Sequence, residues 1–425
     1  MVEMMKIAIV HEWLTTYAGS EKVLEAMLAE YPQADVFTLI NFLPKKHGAI
    51  ILPHIVQTSF MQKIPFVRHF YRYLLGLMPF AVEQYDLSKY DLIVSNSHAV
   101  AKGVITGPDQ LHICYCYTPM RYAWDLQGQY LRESGLVRGV RSILAGMILN
   151  HMRIWDMRTV PGVDHFIGCS RYIARRIRKI YRRESVVIYP AVAVEDFVIA
   201  DGKREDFYFT SSRMVPYKKI HLIVEAFARM PDRKLVVIGT GPQFKRIRSI
   251  ATDNVTLLGY QPFEVLLSHL QHAKAFIFAA EEDFGIAPLE AQACGTPVLA
   301  FAKGGASETV IDRVTGLHFH EQSADAICDI VREFEALPPD FFDTRTLRAH
   351  ADTFSTANFR KQFRTFIEAK WAEHLQEVGA GAFAVTEKAE TERKPKRKNA
   401  KPVPNPAGRP LHESPATTRL QRTPI

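Results

Sequence analysis

Short apolar runs, each followed by a longer amphipathic stretch, make up most of the first half of the chain. Such runs predict buried strands, and their alternation with helical patterns is typical of a parallel α/β sheet. Ser170 precedes the basic helical pattern RYIARRIRKIY and is predicted to cap it. The five strand-like runs lie at residues 6–10, 35–40, 91–97, 112–118 and 164–170.

The alternation is interrupted at Pro190 and resumes after a polar stretch. We therefore predict two similar α/β domains, residues 1–190 and residues 191–353. The strand-like runs of the second domain lie at residues 207–212, 234–239, 254–259, 273–279 and 297–302.

The end of the chain differs in composition from the rest. Residues 354–377 predict an amphipathic helix that packs back toward the first domain. Lys, Arg and Pro predominate after it, with seven prolines between residues 395 and 424. Because segments of this composition cannot bury a core, residues 378–425 are predicted to be a disordered basic tail.

The net charge of +8 is concentrated in that tail. Residues 379–425 contain ten Lys or Arg and four Asp or Glu, which accounts for +6 of the +8. The remainder of the chain is therefore close to neutral, and we expect no nucleic-acid partner.

The cysteines and the N-terminus indicate a cellular location. The cysteines at positions 114, 116, 169, 294 and 328 form no CxxC pair, so we expect buried thiols in a reducing cytoplasm and no metal site. The first ten residues lack the apolar core of a signal peptide. No apolar run reaches the roughly 18 residues that a membrane span requires. We expect a cytoplasmic protein.

The stretch EEDFGIAPLEAQACG, residues 281–295, is the most informative segment of the sequence. It follows a predicted strand and predicts a short helix from Pro288 to Cys294, with Gly295 just past its end. The N-terminus of a helix suits phosphate, and two carboxylates, Glu282 and Glu290, would face the same crevice. Each carboxylate can accept hydrogen bonds from a vicinal diol. The alternative is that Glu290 only complements the helix dipole and Glu282 is solvated.

This stretch, followed by GGASE at residues 304–308, resembles the signature of family 4 glycosyltransferases. The resemblance implies the GT-B fold, in which two Rossmann-like α/β/α domains face each other across a deep cleft. It implies that Glu282 contacts hydroxyls of a nucleotide-sugar and that Glu290 contacts the ribose. Main-chain N–H groups at Phe284, Gly285 and Ile286 would bind the sugar and the phosphate.

The stretch SSRMVPYKKIHLIVEAF, residues 211–227, resembles the Arg-x4-Lys element of the same family. The resemblance implies that Arg213 and Lys218 hold the diphosphate of the donor. Fixed cations stabilise the negative charge of a departing nucleoside diphosphate, as a metal ion does elsewhere, so no metal is expected. Considered alone, two cations at this spacing would be surface charge.

Three glycines are further candidates. YAGSEKVLEA resembles the glycine loop of the family with Ala18 in place of one glycine, so only Gly19 is assigned to the site. The family places contacts to the base near Gly239 and Gly259. Phe244 occupies the third glycine position of GTGPQF, which disfavours a dinucleotide site.

One position departs from the family. Many members carry a histidine that touches the sugar or its phosphate, where this chain has Tyr117. A tyrosine has an ordinary pKa near 10, so it is unsuited to act as a base at neutral pH. His98 is an alternative source of an imidazole, and a purely structural role for it is equally open. The resemblance implies retention of configuration, in which the departing phosphate oxygen removes the proton of the acceptor.

The stretches SNSHAVAKGV and ICYCYTPMRYAWDL are similar to those of bacterial O-antigen and exopolysaccharide mannosyltransferases. This likeness implies GDP-mannose as donor and a lipid-linked or growing polysaccharide, such as lipopolysaccharide, as acceptor. Residues 61–80 and 136–155 combine basic and apolar side chains. They suit helices on an anionic inner membrane, or ordinary helices packed on the sheet. A nucleotide-sugar epimerase of the same fold and a non-enzymatic, basic-tailed scaffold are the alternative functions.

Overall fold

The computed structural model describes residues 5–44, 51, 53–133, 135–136 and 138–392. The N-terminal half is built on a parallel sheet in the order β3-β2-β1-β4-β5-β6-β7. Its strands are Ile7–His11 (β1), Asp35–Thr38 (β2), Val56–Thr58 (β3), Leu92–Ser97 (β4), Leu111–Cys116 (β5), His165–Gly168 (β6) and Ser185–Val187 (β7).

The C-terminal half contains a second parallel sheet in the order β10-β9-β8-β11-β12-β13. Its strands are Tyr208–Ser211 (β8), Leu235–Ile238 (β9), Val255–Gly259 (β10), Phe276–Phe278 (β11), Val298–Phe301 (β12) and Gly316–Phe319 (β13). The first sheet ends with Val187 and the second begins with Tyr208. The predicted domain boundary at residue 190 lies in the segment between them.

Helices follow the strands in both halves. Those of the N-terminal half are Gly19–Glu30 (α1), Val67–Phe70 (α2), Met78–Val82 (α3), Gln127–Glu133 (α4), Val140–Arg158 (α5) and Arg171–Tyr181 (α6). Those after β8 are Ile220–Ala228 (α7), Phe244–Ile250 (α8), Phe263–His272 (α9), Ile286–Ala293 (α10), Ala306–Thr309 (α11), Ala324–Glu335 (α12), Thr344–Asp352 (α13) and Thr356–Glu392 (α14).

The strand order reverses between β1 and β4 in the first sheet and between β8 and β11 in the second. In open parallel sheets, ligands bind beyond the carboxyl ends of the strands at such a reversal. Both halves are therefore Rossmann-like α/β/α units with a binding edge, and the predicted GT-B fold class is confirmed.

The central strands are covered on both faces, which explains their continuous apolar sequences. Every residue of β1, β4 and β5 is buried. The predicted cap of α6 is also present, because the Ser170 hydroxyl accepts a hydrogen bond from the Ile173 N–H at 3.1 Å.

Three strands were not predicted, namely β3, β7 and β13. Each has three or four residues and lies at or next to an edge of its sheet, so none presents a long apolar run. The start of α10 was also predicted wrongly. The helix begins at Ile286, so Pro288 is its third residue rather than its first, and Glu290 is in its second turn rather than its first.

The two stretches predicted to be amphipathic helices fold differently from each other. Residues 61–80 form α2, part of α3 and 3₁₀ segments at Phe60–Lys63 and Tyr71–Leu77 instead of one long helix. Residues 136–155 contain most of α5, which is a continuous helix of 19 residues.

The final helix packs against the N-terminal half. Phe359, Phe363 and Ile367 are buried in the core cluster that contains β1 and α1. Arg360 and Arg364 form ion pairs with Glu30 at 3.0 and 2.9 Å. The compact body of the chain ends at Leu375. The predicted end of this helix at residue 377 is wrong, because α14 continues to Glu392 and includes residues 378–392 of the predicted tail. Residues 393–425 of that tail lie outside the described residues.

Candidate active site

A cavity of about 480 Å³ lies between the carboxyl edges of the two sheets. Both halves of the chain line it. The N-terminal half contributes Ala18, Gly19, Ser20, Lys22, Tyr117, Arg121, Cys169 and Pro190. The C-terminal half contributes Ser211, Ser212, Arg213, Tyr217, Lys218, Glu282, Asp283, Phe284, Gly285, Ile286, Ala287 and Glu290. Nine of the twelve residues predicted from the sequence are among them.

The charged side chains come from the loops after β8 and β11, which are neighbouring strands at the reversal of the second sheet. Arg213 and Lys218 follow β8, and Glu282 follows β11. Because parallel strands end at the same edge, segments about 70 residues apart in sequence converge on one cavity. Arg213 is exposed to the cavity, and within the described chain no carboxylate forms an ion pair with it.

Lys218 is the central cation of the site. Burial lowers the pKa of its ammonium group to about 7, and the neighbouring cations Arg121 and Arg213 add to this shift. The charge of the Glu290 carboxylate opposes this shift in the pKa. Lys218 also forms an ion pair with the Glu282 carboxylate. Glu282 and Lys218 therefore neutralise each other in the free protein, and both present polar atoms to any molecule that enters the cavity.

Glu290 lies on α10 and faces the same cavity. Burial raises the pKa of its carboxyl group, while the charges of Lys22 and Lys218 oppose this rise. The helix ends just before Gly295, whose φ of +73° is the left-handed conformation that glycine adopts readily. The predicted C-terminal glycine signal is confirmed.

The turn between Glu282 and Ile286 is held by close backbone packing. The Phe284 ring is buried against Tyr189 at 5.7 Å, so the residue offers its main chain to the cavity. The Gly305 N–H donates to the Glu282 carbonyl at 2.7 Å, and a Cβ at Gly305 would overlap the Phe284 backbone. The glycines of GGASE are therefore required sterically beneath this turn.

Gly19 brings the N-terminal half to the cavity. It is the first residue of α1, and the Glu21 carboxylate accepts a hydrogen bond from the preceding Ala18 N–H at 3.0 Å. A Cβ at Gly19 would lie 3.0 Å from Ile286 Cδ1 on the opposite wall. A larger residue would therefore narrow the cavity at the position where the two halves approach each other.

Tyr117 and His98 lie side by side, but only Tyr117 lines the cavity. Their ring centroids are 6.5 Å apart, and the Tyr117 hydroxyl donates to the Ser20 carbonyl at 3.3 Å. Burial raises the pKa of Tyr117 well above its usual value, which keeps the phenol neutral. His98 lies behind it, edge-on to Trp13 at 4.8 Å, and burial lowers its pKa. The structure thus places His98 next to the cavity rather than in it.

Gly239 and Gly259 lie outside the set of residues that line this cavity. The Gly239 N–H donates to the Gly259 carbonyl at 2.7 Å. A Cβ at Gly239, where φ is +138°, would overlap the Ser212 carbonyl. These glycines therefore let the β9 and β10 ends pack under the loop that carries Arg213, and their contact with a base remains a prediction.

Three charged residues of the cavity were not predicted. Arg121 extends from the N-terminal half and forms an ion pair with Asp283, next to Glu282. Lys22, in the first turn of α1, acts electrostatically on Glu290. No spacing in the sequence links these residues, because each reaches its partner only across the cavity.

The described residues also include potential metal ligands, thiols and long helices. No group of three His, Cys, Asp or Glu side chains there could hold a metal ion. All five cysteines are free and buried. None of the described helices combines the length and the apolar character that a membrane-crossing segment needs.

Part of the chain is similar in sequence to known glycosyltransferases. Residues 175–346 match the model of the family described as "Glycosyl transferases group 1". A GDP-mannose-dependent alpha-(1-6)-phosphatidylinositol monomannoside mannosyltransferase of Mycolicibacterium smegmatis is 36% identical over 146 residues, 30% of this chain and 38% of the relative. A D-inositol 3-phosphate glycosyltransferase of Mycobacterium avium is 28% identical over 250 residues, 50% of this chain and 58% of the relative. The chain thus spans less than two thirds of either relative.

Solved structures resemble the fold over more of the chain. Sucrose-phosphate synthase from Thermosynechococcus elongatus superposes with a TM-score of 0.65 at 20% identity, covering 87% of this chain and 100% of that one. HepE of Anabaena in complex with UDP and glucose gives a TM-score of 0.61 at 18% identity, covering 86% and 99%. At these identities the likeness shows the fold alone.

Proposed function

We propose, from the match of residues 175–346 to the glycosyl transferases group 1 family model, that this protein is a retaining, metal-independent hexosyltransferase. Its donor is a nucleotide-sugar, GDP-mannose, and its acceptor is a lipid-linked or growing polysaccharide of surface polysaccharide biosynthesis. The observation that carries this proposal is the convergence of Arg213, Lys218, Glu282 and Glu290 on one cavity.

In the proposed mechanism, Arg213 and Lys218 bind the diphosphate and stabilise the negative charge that grows as the glycosidic bond breaks. Glu282 exchanges its ion pair with Lys218 for hydrogen bonds from sugar hydroxyls, and Glu290 accepts from the ribose. The departing phosphate oxygen removes the proton of the acceptor hydroxyl. This route needs no basic side chain at Tyr117, which is consistent with the raised pKa of its phenol.

The sugar and the base rest on similarity to relatives. The mannosyltransferase of M. smegmatis supports mannose and GDP, whereas HepE is described in complex with UDP and glucose. No described contact in this cavity distinguishes guanine from uracil, so we propose GDP-mannose from the likeness to mannosyltransferases.

The proposed acceptor side is the N-terminal half, peripheral on the cytoplasmic face of the inner membrane. An exposed apolar stripe runs along one face of α5 and consists of Val140, Ile143, Leu144, Met147 and Ile154. Their spacing of three, four and seven residues is that of a single helix face. A helix of this kind can lie in the headgroup region of a bilayer. The free cysteines support a reducing compartment.

The experiment that tests the proposal is a binding and transfer series. GDP, UDP, GDP-mannose and UDP-glucose are added to the full chain while the unfolding temperature is measured, because only a bound ligand stabilises the native state. We expect the largest rise with GDP-mannose. Transfer to a membrane extract is then compared for the wild type and Glu282→Ala, and we expect transfer to be abolished while the fold is retained. Near-normal turnover by Glu282→Ala, or conversion of donor without acceptor, would contradict the proposal.

A further inference from the structure

A second cavity, of about 540 Å³, lies wholly within the N-terminal half. Its walls are the loop after β1, with Thr15 and Thr16, and the segment around α2, with Arg68, His69 and Arg72. Two hydroxyls and two guanidinium groups thus surround one space. We call this space the cationic pocket.

The pocket carries positive charge that the described chain does not neutralise. Arg68 and Arg72 are exposed, and no Asp or Glu among the described residues forms an ion pair with either. The Arg72 Nε atom donates only to the Tyr71 hydroxyl, at 3.2 Å. A pair of guanidinium groups next to hydroxyl donors matches the oxygens of a phosphate, which Arg binds in a bidentate manner.

A row of aromatic rings connects the cationic pocket to the donor cavity. Tyr71, whose hydroxyl lies 3.3 Å from Thr15 Oγ1, packs against Trp13 at 5.3 Å. Trp13 packs against His98 at 4.8 Å, and His98 against Tyr117 at 6.5 Å. Tyr117 lines the donor cavity. Tyr71 is buried and His98 lies behind the cavity wall, so this row is a packed connection that fixes the cationic pocket relative to the donor cavity.

Two exposed aromatic side chains lie close in sequence to the arginines of the cationic pocket, and one of them, Tyr73, lines it. Phe66 is 81% exposed and Tyr73 is 87% exposed, and both flank the arginines in sequence. A free phosphate ion would gain nothing from these rings. A phosphate carried by a lipid would bury them in the bilayer or against its acyl chains.

We propose that the cationic pocket binds the phosphate or diphosphate that links a saccharide acceptor to its lipid. This inference rests on the proposed glycosyltransferase function and names the part of the acceptor that the N-terminal half recognises. The lipid-borne phosphate sits on Arg68 and Arg72, and the saccharide extends from there toward the donor cavity.

The first test measures vesicle binding by the full chain. Vesicles of phosphatidylcholine with phosphatidic acid supply a lipid-borne phosphate monoester, and vesicles of phosphatidylcholine with a fatty acid, adjusted to the same surface charge, lack that monoester. The double variant Arg68→Gln/Arg72→Gln is compared with Lys245→Gln/Arg246→Gln, which removes two exposed cations from the C-terminal half. We expect the first variant to weaken binding to phosphatidic acid by about tenfold or more, and the control to change it by less than about twofold.

Two results would overturn the proposal. An equal loss in the control variant would mean that only net charge matters. Equal binding of the wild type to both kinds of vesicle would mean that phosphate is not recognised. The charge-conserving variant Arg68→Lys/Arg72→Lys is expected to fall between the wild type and the glutamine variant, because lysine keeps the charge and loses the planar fork.

The second test separates this inference from the proposed function. Inorganic pyrophosphate is titrated calorimetrically into the full chain, and we expect two sites. Arg68→Gln/Arg72→Gln should remove one site, and Lys218→Met should remove the other. If Arg68→Gln/Arg72→Gln still binds pyrophosphate at two sites, the proposal that the cationic pocket binds phosphate is wrong. If Lys218→Met still binds at two sites, the proposed diphosphate site of the donor cavity is wrong.

Discussion

The two sheets reverse their strand order at equivalent positions, but the side chains at the two edges differ in kind. At the edge of the second sheet, Arg213, Lys218, Glu282 and Glu290 direct charge into the cavity. At the edge of the first, the polar side chains mostly bind the protein itself. The fully buried Glu12 carboxylate, for example, accepts from the N–H groups of residues 98–101 at 2.7–3.1 Å.

This difference indicates a division of labour between two similar folds. A charged edge can hold an activated donor, because fixed charges stabilise the charge that the leaving group acquires. An edge whose polar groups are satisfied internally forms a rigid wall, and its exposed apolar and basic side chains are free to hold an acceptor. The following predictions test this comparison, from the largest expected effect to the smallest.

The strongest test removes the central cation of the charged edge. We expect Lys218→Met to lower kcat/KM for transfer by about 100- to 1,000-fold, because a preorganised charge on the leaving group is lost. Steady-state kinetics with a saturating acceptor measure the effect. Lys245→Met, which removes an exposed cation outside the cavity, is the matched control and should leave kcat/KM unchanged. An equal loss in both variants would argue against a specific role for Lys218.

Glu290 allows a sharper test, because its proposed partner can be altered chemically. We expect the wild type to bind GDP about tenfold or more tightly than a deoxyribose analogue. The analogue lacks the ribose hydroxyl that would donate a hydrogen bond to the Glu290 carboxylate. In Glu290→Gln this preference should shrink to about twofold. Calorimetry with both nucleotides measures the difference. A preference that persists in the variant would show that Glu290 does not contact the ribose.

The contact between the two edges is tested by a double-mutant cycle. Arg121→Gln and Asp283→Asn each break the ion pair that crosses the cavity. We expect each single variant to reduce kcat/KM about tenfold. The double variant should lose less activation free energy than the sum of the two single losses, and the difference should be about 0.5–3 kcal/mol. Strict additivity would mean that the pair does not act as a unit.

The smallest effect concerns pH. Because burial lowers the pKa of Lys218 to about 7, its ammonium group loses its proton as the pH rises through that value. A neutral amine attracts a diphosphate less, so affinity for GDP should fall between about pH 6 and pH 8. Lys218→Met has no group to titrate there and should show a flat profile. If the affinity of the wild type and that of Lys218→Met fall in parallel as the pH rises, the titrating group is not Lys218.

The sequence was informative where a site is contiguous. The turn and helix of residues 281–295 supply five of the predicted residues, and all five line the cavity because one short segment carries them. Arg213 and Lys218 could be found for the same reason. Short edge strands such as β3 and β7 escaped prediction, since three residues cannot carry a periodic signal.

Residues that act across a gap could not be found in this way. Nothing in the sequence links Arg121 to Asp283, which lie 162 positions apart and pair because the two halves face each other. His98 illustrates the reverse case, since its position after β4 predicted a site residue. The bulk of Trp13 and Tyr117 instead leaves it behind the cavity wall.

By itself, the sequence determined the two α/β halves and the charged edge of the second, because strand burial and loop chemistry are local properties of the chain. The tertiary structure alone decided which groups meet. It paired Lys218 with Glu282, brought Gly19 against Ile286, and directed Arg68 and Arg72 into one pocket with Thr15. The physical reason is that charge pairing and steric fit depend on distance in space, which the sequence specifies only through the complete packing of both sheets.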